Sequence, residues 1–274
     1  MFLRFISDTK NLNTLLVYRR NINCFWLWGF MKGIFIMVDG LDASGKSLII
    51  NTFKDWSFSK KLKVFVLKDY CTEHKDLPEA EEIKDFDVII SNEPTDALVG
   101  KAIRDELIKQ NSRDYSASTI AQAFSLDREI LYKRVIIPAL KQNKIVFQDR
   151  GVVSTFVYQP VQEHIPLNEL IKLPGNRLAL EYAPNLLILT KVSPEVVMER
   201  IEKKGMSSAT IFTNLLFQRK ISERYNSIWL RELFERFGTK IVYISTEPPA
   251  TEEDTKKKAI EILEEFLKSS GRNL

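Results

Sequence analysis

Short apolar runs alternate with longer amphipathic stretches along most of this chain, and that alternation constrains the fold more than any other feature. The runs are rich in branched residues and lack polar alternation, which is typical of strands covered on both faces. Five of them predict strands, at residues 34–38, 62–67, 145–147, 186–189 and 241–244. The repeated strand–helix order predicts an α/β three-layer sandwich, with a central parallel sheet of about five strands and helices on both faces.

The stretches between the runs have helical spacing. Helices are predicted over residues 46–56, 98–108, 118–137, 194–204, 214–237 and 252–268. Pro138 is expected to stop the third of them, because proline cannot donate a helical hydrogen bond. Residues 68–87 interrupt the alternation and are followed by another strand-like run at 88–90. We interpret this interruption as an insertion that carries a short helix on a loop.

The bulk properties indicate one large domain, expected at residues 31–274 of the 274-residue chain. Residues 1–30 are an extension of unknown role: they are either a targeting arm or, more simply, lie upstream of a functional start at Met31. The two cysteines, Cys24 and Cys71, match neither a disulfide framework nor a metal site, so a cytoplasmic location is expected. The net charge of +4 and the short apolar stretch at 24–30 indicate neither a nucleic-acid nor a membrane partner.

Directly after the first predicted strand comes a segment with the spacing of a phosphate-binding loop. Its residues, all expected to contact a nucleotide, are Gly40, Leu41, Asp42, Ala43, Ser44, Gly45, Lys46 and Ser47. The glycines allow the tight turn that brings backbone N–H groups to phosphate oxygens, and the following helix points its positive dipole end at the same anion. Lys46 is expected to reach the β- and γ-phosphates of ATP, and the hydroxyl of Ser47 to bind Mg²⁺.

A carboxylate belongs with this loop. Asp149 follows the predicted strand at 145–147, and the carboxyl ends of parallel strands gather at one edge of the sheet. We therefore expect Asp149 near the phosphate loop as a second Mg²⁺ ligand. A structural alternative, in which Asp149 only caps a turn, stays open at this point.

Several further segments, in order, resemble the thymidylate kinase family of P-loop nucleoside monophosphate kinases. Residues 39–42 are similar to its acidic-Gly-x-Asp opening, and residues 92–95 to its Arg-Glu-Pro segment. Phe124 and Arg128 resemble its Phe-x-x-x-Arg pair. Residues 149–159 resemble its Asp-Arg-aromatic-x-x-Ser-x-x-Ala-Tyr-Gln signature. The resemblance extends from Met31 to the strand at 241–244.

The resemblance implies a P-loop NTPase-type fold, a homodimer, and transfer of the γ-phosphate of ATP to dTMP. It implies that Phe124 stacks on thymine, that Arg128 donates to the carbonyl edge of the base, and that Arg150 holds the 5′-phosphate. Asp42 would accept from the sugar 3′-hydroxyl. The implied catalytic residues are Lys46, Arg150 and Asp42, and the remaining acceptor contacts are Glu93, Ser154, Tyr158 and Gln159.

No general base is needed in this reaction, because the acceptor phosphate is already an anion. A basic lid that excludes water is expected around residues 200–205, where Lys203 and Lys204 could contact ATP phosphates. A solvated helix face explains these lysines equally well.

The sequence departs from the family pattern at four positions. Asn92 stands where the family has arginine, Gly151 where it has an aromatic residue, and Lys191 where it tends to have an acid; Ala43 gives the loop no basic side chain. Two alternatives stay open at this point. One is a deoxynucleoside kinase with Glu93 as the base. The other is a nucleotide-binding protein without turnover.

Overall fold

A single sheet of parallel strands forms the centre of the structure, a computed structural model that describes residues 33–109, 111–203 and 214–272. Its strands in these ranges are β1 (Ile34–Asp39), β2 (Val64–Val66), β3 (Val88–Asn92), β4 (Ile145–Asp149), β5 (Leu186–Lys191) and β6 (Lys240–Ser245). They lie side by side in the order β2-β3-β4-β1-β5-β6. The three-layer fold is confirmed, but the sheet has six strands where about five were predicted. The extra one is the run after the insertion, which pairs with both β2 and β4.

Helices cover both faces of the sheet. Their ranges are α1 (Lys46–Ser59), α2 (Leu67–His74), α3 (Leu98–Ala102), α4 (Ala117–Leu131), α5 (Ile137–Lys141), α6 (Val152–Gln162), α7 (Leu167–Lys172), α8 (Pro174–Glu181), α9 (Pro194–Lys203), α10 (Leu215–Tyr225), α11 (Ile228–Arg236) and α12 (Glu252–Ser269). Side chains of β1 alternate between two cores: Ile36 and Val38 pack under α1 and α12, whereas Phe35 and Met37 face the α4 and α6 side. Within the described ranges, none of the helices has the length and apolar character needed to cross a bilayer.

The prediction that Pro138 ends a helix is wrong. After α4 the chain forms a π-helical segment, Tyr132–Ile136, and continues as α5 to Lys141. Pro138 occupies the first turn of α5, where the missing N–H and fixed φ of proline are tolerated. The wider π turn therefore accommodates the proline without ending the helical path.

Two other boundaries differ from the prediction. The helix predicted over 214–237 is two helices, α10 and α11, because Ser227 takes an extended conformation at the start of the second. The strand predicted over 62–67 is only β2, since Leu67 already begins α2.

The insertion has the predicted form, α2 followed by a loop that leads to β3. Leu77 and Ile83 bury their side chains in the core. Arg134, in the π-helical segment, lies 2.9 Å from Asp76 and 2.9 Å from Glu79. The insertion is therefore fastened to the π-helical segment that follows α4.

Candidate active site

The phosphate loop turns tightly between β1 and α1. Gly40 and Gly45 have φ values of +147° and +94°, which side chains rarely allow. A Cβ atom on Gly40 would lie 2.1 Å from Oγ1 of Thr190, at the end of β5. The hydroxyls of Ser44 and Thr190 are 2.6 Å apart. The loop therefore lies directly against β5, and its glycines are required by both conformation and space.

The carbonyl oxygens of the loop are held by the protein. Lys46 donates to the carbonyl of Leu41, and Oγ1 of Thr246 donates to that of Ser44 at 2.9 Å. Arg200 lies 3.4 Å from the carbonyl of Ala43 and donates to that of Thr246 at 2.6 Å. The N–H of Gly40 donates to Oδ1 of Asp39 at 2.8 Å, and the N–H groups of the rest of the loop are the donors suited to an anion.

Lys46 is the cation of this loop and is only 6% exposed. Burial, the largest cause, and the charge of Arg150 together lower the pKa of its ammonium group to about 8, against the opposing charges of Asp42 and Asp149. The group is therefore mostly charged at neutral pH, and a bound polyphosphate would favour the charged form more strongly.

Asp149 and Ser47 meet at the mouth of the loop. Oγ of Ser47 donates to Oδ2 of Asp149 at 3.2 Å, so the expected proximity is confirmed. The other carboxylate oxygen, Oδ1, is buried without a hydrogen-bond partner. An orphaned buried oxygen beside a hydroxyl is a suitable half-site for Mg²⁺, which takes oxygen ligands. The described residues contain no cluster of three metal-binding side chains, so phosphate oxygens and water would complete the coordination.

Asp39, the last residue of β1, is fully buried behind the loop. Its Oδ1 accepts hydrogen bonds from the hydroxyls of Tyr225 at 2.8 Å and Ser154 at 2.9 Å, and Arg150 lies 3.7 Å away. Burial raises the pKa of this carboxyl group, and the charges of Arg150 and Lys46 work against the rise. Asp39 thus holds Tyr225, Ser154 and Arg150 around a single carboxylate. No local pattern singled out Tyr225.

Arg150 adopts a left-handed conformation, with φ at +64°, directly after β4. Its Nη1 donates to the carbonyl of Gly40 at 3.1 Å and to Oγ of Ser154 at 3.2 Å, and its Nη2 pairs with Asp42. The guanidinium carbon lies 5.8 Å from the ring centre of Tyr158. Burial acts to lower the pKa of Arg150, but Asp42 and its other neighbours raise it overall, so the guanidinium stays charged. The predicted acceptor-phosphate ligand therefore lies within contact of the phosphate loop.

Glu93 and Arg128 form a second, fully buried ion pair. Nη2 of Arg128 lies 2.6 Å from Oε2 of Glu93, and Nε donates to the same oxygen at 2.9 Å. The other oxygen, Oε1, accepts from Gln148 at 3.0 Å. Burial raises the pKa of Glu93 to about 7, although the charge of Arg128 opposes the shift. Arg128 also donates to Thr155 and Asn176.

Two further predicted residues lie on the helices that carry Arg128 and Ser154. Phe124 is half-buried on α4, one turn before Arg128, and Gln159 is buried on α6. Lys203 is exposed at the end of α9, whereas Lys204 lies outside the described residues, as do residues 1–30. A separate cleft of about 250 Å³ includes none of the predicted site residues; its lining residues are Leu107, Lys109, Arg113, Asp114, Tyr115, Val161, Gln162 and Phe217.

Comparison with known proteins identifies the family. The sequence model of the family described as thymidylate kinase matches residues 71–259, more than half of the chain. The chain belongs to the thymidylate kinase family. It is 31% identical to the thymidylate kinase of Caldicellulosiruptor saccharolyticus over 238 residues, which cover 87% of this chain and 99% of that protein. A match of 238 residues in a 274-residue chain leaves too few residues outside it to exclude residues 40–47, so this match includes the phosphate loop.

Two other relatives have the same or a closely similar name. The thymidylate kinase of a Geobacillus species is 27% identical, with 81% of this chain and 92% of that protein covered. A probable thymidylate kinase of Pyrococcus horikoshii is 31% identical, with 74% and 85% covered.

The structure accounts for two departures of this chain from the family pattern. A Cβ atom on Gly151 would lie 2.4 Å from Cε of the buried Met37, so a side chain there would require the flexible end of Met37 to move. Nδ2 of Asn92 donates to Asp96 at 2.7 Å and to the carbonyl of Pro94 at 2.9 Å. The asparagine therefore stabilises the turn after β3.

Proposed function

We propose that this protein transfers the γ-phosphate of ATP to the 5′-phosphate of dTMP, giving dTDP and ADP for dTTP synthesis. One observation carries the proposal. In a chain of this family, Arg150, directly after β4, contacts the phosphate loop that follows β1. One oxygen of the acceptor phosphate forms a bond to the γ-phosphorus, and the bond to the β–γ bridging oxygen breaks, so that ADP leaves.

On the ATP side, residues 40–47 supply backbone N–H groups and Lys46 supplies a positive charge to the β- and γ-phosphates. Ser47 and Asp149 would hold Mg²⁺, which neutralises phosphate charge when it is bound. The contact between these two side chains and the orphaned Oδ1 of Asp149 support that assignment.

On the acceptor side, Arg150 binds the 5′-phosphate and exchanges its Asp42 partner for phosphate oxygens as dTMP enters. Asp42 is then available to accept from the sugar 3′-hydroxyl. The hydrogen bond from Tyr158 to Asp42, 3.4 Å long, supports a role for both in the sugar pocket. Ser154 holds Arg150 and Asp39 in place.

The base is proposed to lie on Phe124, with Arg128 as a donor to its carbonyl edge and Gln159 in the pocket wall. Glu93 takes part through Arg128, whose charge it neutralises in the protein interior. Both carboxylate oxygens of Glu93 are engaged by protein donors, which argues against its use as the base of a nucleoside kinase.

Three further parts of the proposal concern assembly, location and the contact of Lys203 with ATP. Assembly as a homodimer rests on the resemblance alone and is tested by light scattering. The cytoplasmic location rests on cysteine usage. The contact of Lys203 with ATP phosphates rests on its position at the end of α9, and Lys203→Ala should raise the KM for ATP if the contact exists.

A coupled ADP-release assay tests the function. Purified protein is incubated with ATP, Mg²⁺ and either dTMP, thymidine or no acceptor. We expect ADP and dTDP only with dTMP, and loss of turnover in Lys46→Ala and Arg150→Ala. Lys101→Ala and Arg177→Ala, at exposed side chains, are the matched controls and should keep wild-type turnover.

The alternatives predict different results. ADP formed only with thymidine would replace the proposal with a nucleoside kinase. Calorimetric binding of ATP and dTMP without any dTDP would indicate a protein that has lost turnover. Near-normal activity of Lys46→Ala would refute the mechanism itself.

A further inference from the structure

Asn176, in the first turn of α8, is buried against the guanidinium group of Arg128. Its side-chain oxygen accepts a hydrogen bond from Nη1 of Arg128, and its Nδ2 donates to the carbonyl of Leu170 at 2.8 Å. The amide orientation is therefore determined at both ends, because only the oxygen can face a guanidinium and only the nitrogen can face a carbonyl.

The start of α8 lies in direct contact with α4. The N–H of Gly175 donates to Oγ of Ser125 at 3.0 Å. A Cβ atom on Gly175 would lie 1.8 Å from the carbonyl oxygen of Ser125, so only glycine allows this approach. Ser125 precedes Arg128 by three residues on the same helix. The docking of α8 on α4 thus fixes the distance between Asn176 and Arg128.

The hydrogen bonds of Arg128 determine which of its atoms can contact a ligand. Nε donates to Glu93, Nη2 donates to Thr155 at 3.1 Å and lies 2.6 Å from Glu93, and Nη1 donates to Asn176. A guanidinium group carries five N–H bonds, two of them on Nη1. Among the described contacts, Nη1 has one partner, Asn176, whereas Nη2 has two, Thr155 and Glu93, so Nη1 is the terminal nitrogen better placed to donate to a further acceptor.

We propose that Asn176 is a positioning residue that selects the acceptor base through Arg128. By holding one hydrogen of Nη1, it directs the other toward the base pocket. A donor in that place favours a pyrimidine with a carbonyl at position 4, such as thymine or uracil, over cytosine, which presents an amino donor there. The inference rests on the proposed base-reading role of Arg128.

Selectivity measurements test this role. kcat/KM is measured for dTMP and dCMP in the wild type, Asn176→Ala and Asn176→Asp, with KM for ATP in parallel. In Asn176→Ala we expect the dTMP-to-dCMP ratio of kcat/KM to fall at least fivefold and KM for dTMP to rise, with KM for ATP within twofold of wild type. Asn176→Asp keeps an acceptor for Arg128 and should keep the ratio within twofold, although its second carboxylate oxygen would face the carbonyl of Leu170 and should lower stability.

The matched control is Asn185→Ala. Like Asn176, Asn185 accepts a hydrogen bond with its side-chain oxygen, in this case from the N–H of Phe35 at 2.7 Å. Asn185 is not among the hydrogen-bond partners of Arg128. This variant should lose stability while the selectivity ratio stays unchanged. An equal fall in both kcat/KM values for Asn176→Ala, as in a purely structural role, would overturn the inference. If Asn176→Ala does not fold, a loss of selectivity in Asn176→Asp would overturn it.

Arg128→Met separates this inference from the function on which it rests. If Arg128→Met loses selectivity and Asn176→Ala keeps it, the positioning role is wrong and the base-reading role stands. If Arg128→Met itself retains the wild-type ratio, the base-reading role of Arg128 is wrong.

Discussion

Tyr225 donates a hydrogen bond of 2.8 Å to Oδ1 of Asp39, a carboxylate that is fully buried behind the phosphate loop. Tyr225→Phe removes this one donor and leaves the ring in place. The carboxylate keeps the donors of Gly40 and Ser154 and the more distant charge of Arg150. The substitution therefore isolates the hydroxyl group that connects α10 to the end of β1.

The size of the effect follows from the charge and burial of Asp39. Hydrogen bonds to charged groups contribute about 1.5–3 kcal/mol, and no water replaces a donor lost in a closed interior. We expect Tyr225→Phe to lower the free energy of unfolding by about 2 kcal/mol. In a domain of this size that corresponds to a fall in Tm of about 4–8 °C.

The loss should depend on pH. The bond from Tyr225 favours the charged form of Asp39 and lowers its pKa, whereas burial raises that pKa. Relative to the variant, the wild type therefore has the lower pKa at Asp39. Its advantage is complete where Asp39 is ionised and shrinks as falling pH protonates the group.

Urea unfolding followed by circular dichroism at several pH values measures both effects. Tyr243→Phe is the matched control, because Tyr243 is 37% exposed on β6, and it should change stability by less than about 0.5 kcal/mol. A Tyr225→Phe protein as stable as the wild type at neutral pH, or equally destabilised at every pH, would refute the reasoning.

Three further predictions concern the phosphate loop and its metal. Because burial lowers the pKa of Lys46 to about 8, the Kd for ATP measured by calorimetry should rise between pH 7 and 9, and Lys46→Arg, which stays charged, should flatten that profile. Asp149→Asn should raise the Mg²⁺ concentration needed for half-maximal activity by about tenfold, with KM for dTMP within about twofold of wild type; an unchanged Mg²⁺ requirement would contradict the assignment. Gly40→Ala should lower the free energy of unfolding by about 2–4 kcal/mol, because the alanine Cβ would clash with Thr190 and alanine disfavours the positive φ at this position. A Gly40→Ala protein with the wild-type Tm would exclude that strain.

The parts of the fold that could be predicted from the sequence are determined by residues that are close together along the chain. The run at 34–38 is continuously apolar because both faces of β1 are buried, and the spacing from Gly40 to Ser47 is fixed by the turn that it makes. The position of Asp149 followed from one rule, that the carboxyl ends of parallel strands share an edge.

The parts that were not predictable depend on contacts between distant residues. Asn176 and Arg128 are 48 residues apart, and Tyr225 and Asp39 are 186 apart. A single buried asparagine or tyrosine leaves no periodic pattern, so nothing local distinguishes it from its solvated neighbours. The resemblance pointed to Arg128 but not to the network that holds it. At Pro138 a local rule, that proline ends a helix, gave the wrong prediction, because the preceding π turn accommodates the proline.

The pairing of Asp42 with Arg150 joins the two substrate sites through a single loop. A substitution that reshapes this loop to suit another phosphate donor would also move the group that meets the acceptor, so the two specificities cannot diverge independently there. In the proposed arrangement α4 contacts the base away from the loop and α8 acts on the base only through Arg128, so these helices are free of that coupling. Change of acceptor preference during evolution is therefore expected to accumulate on those helices while residues 40–47 stay fixed.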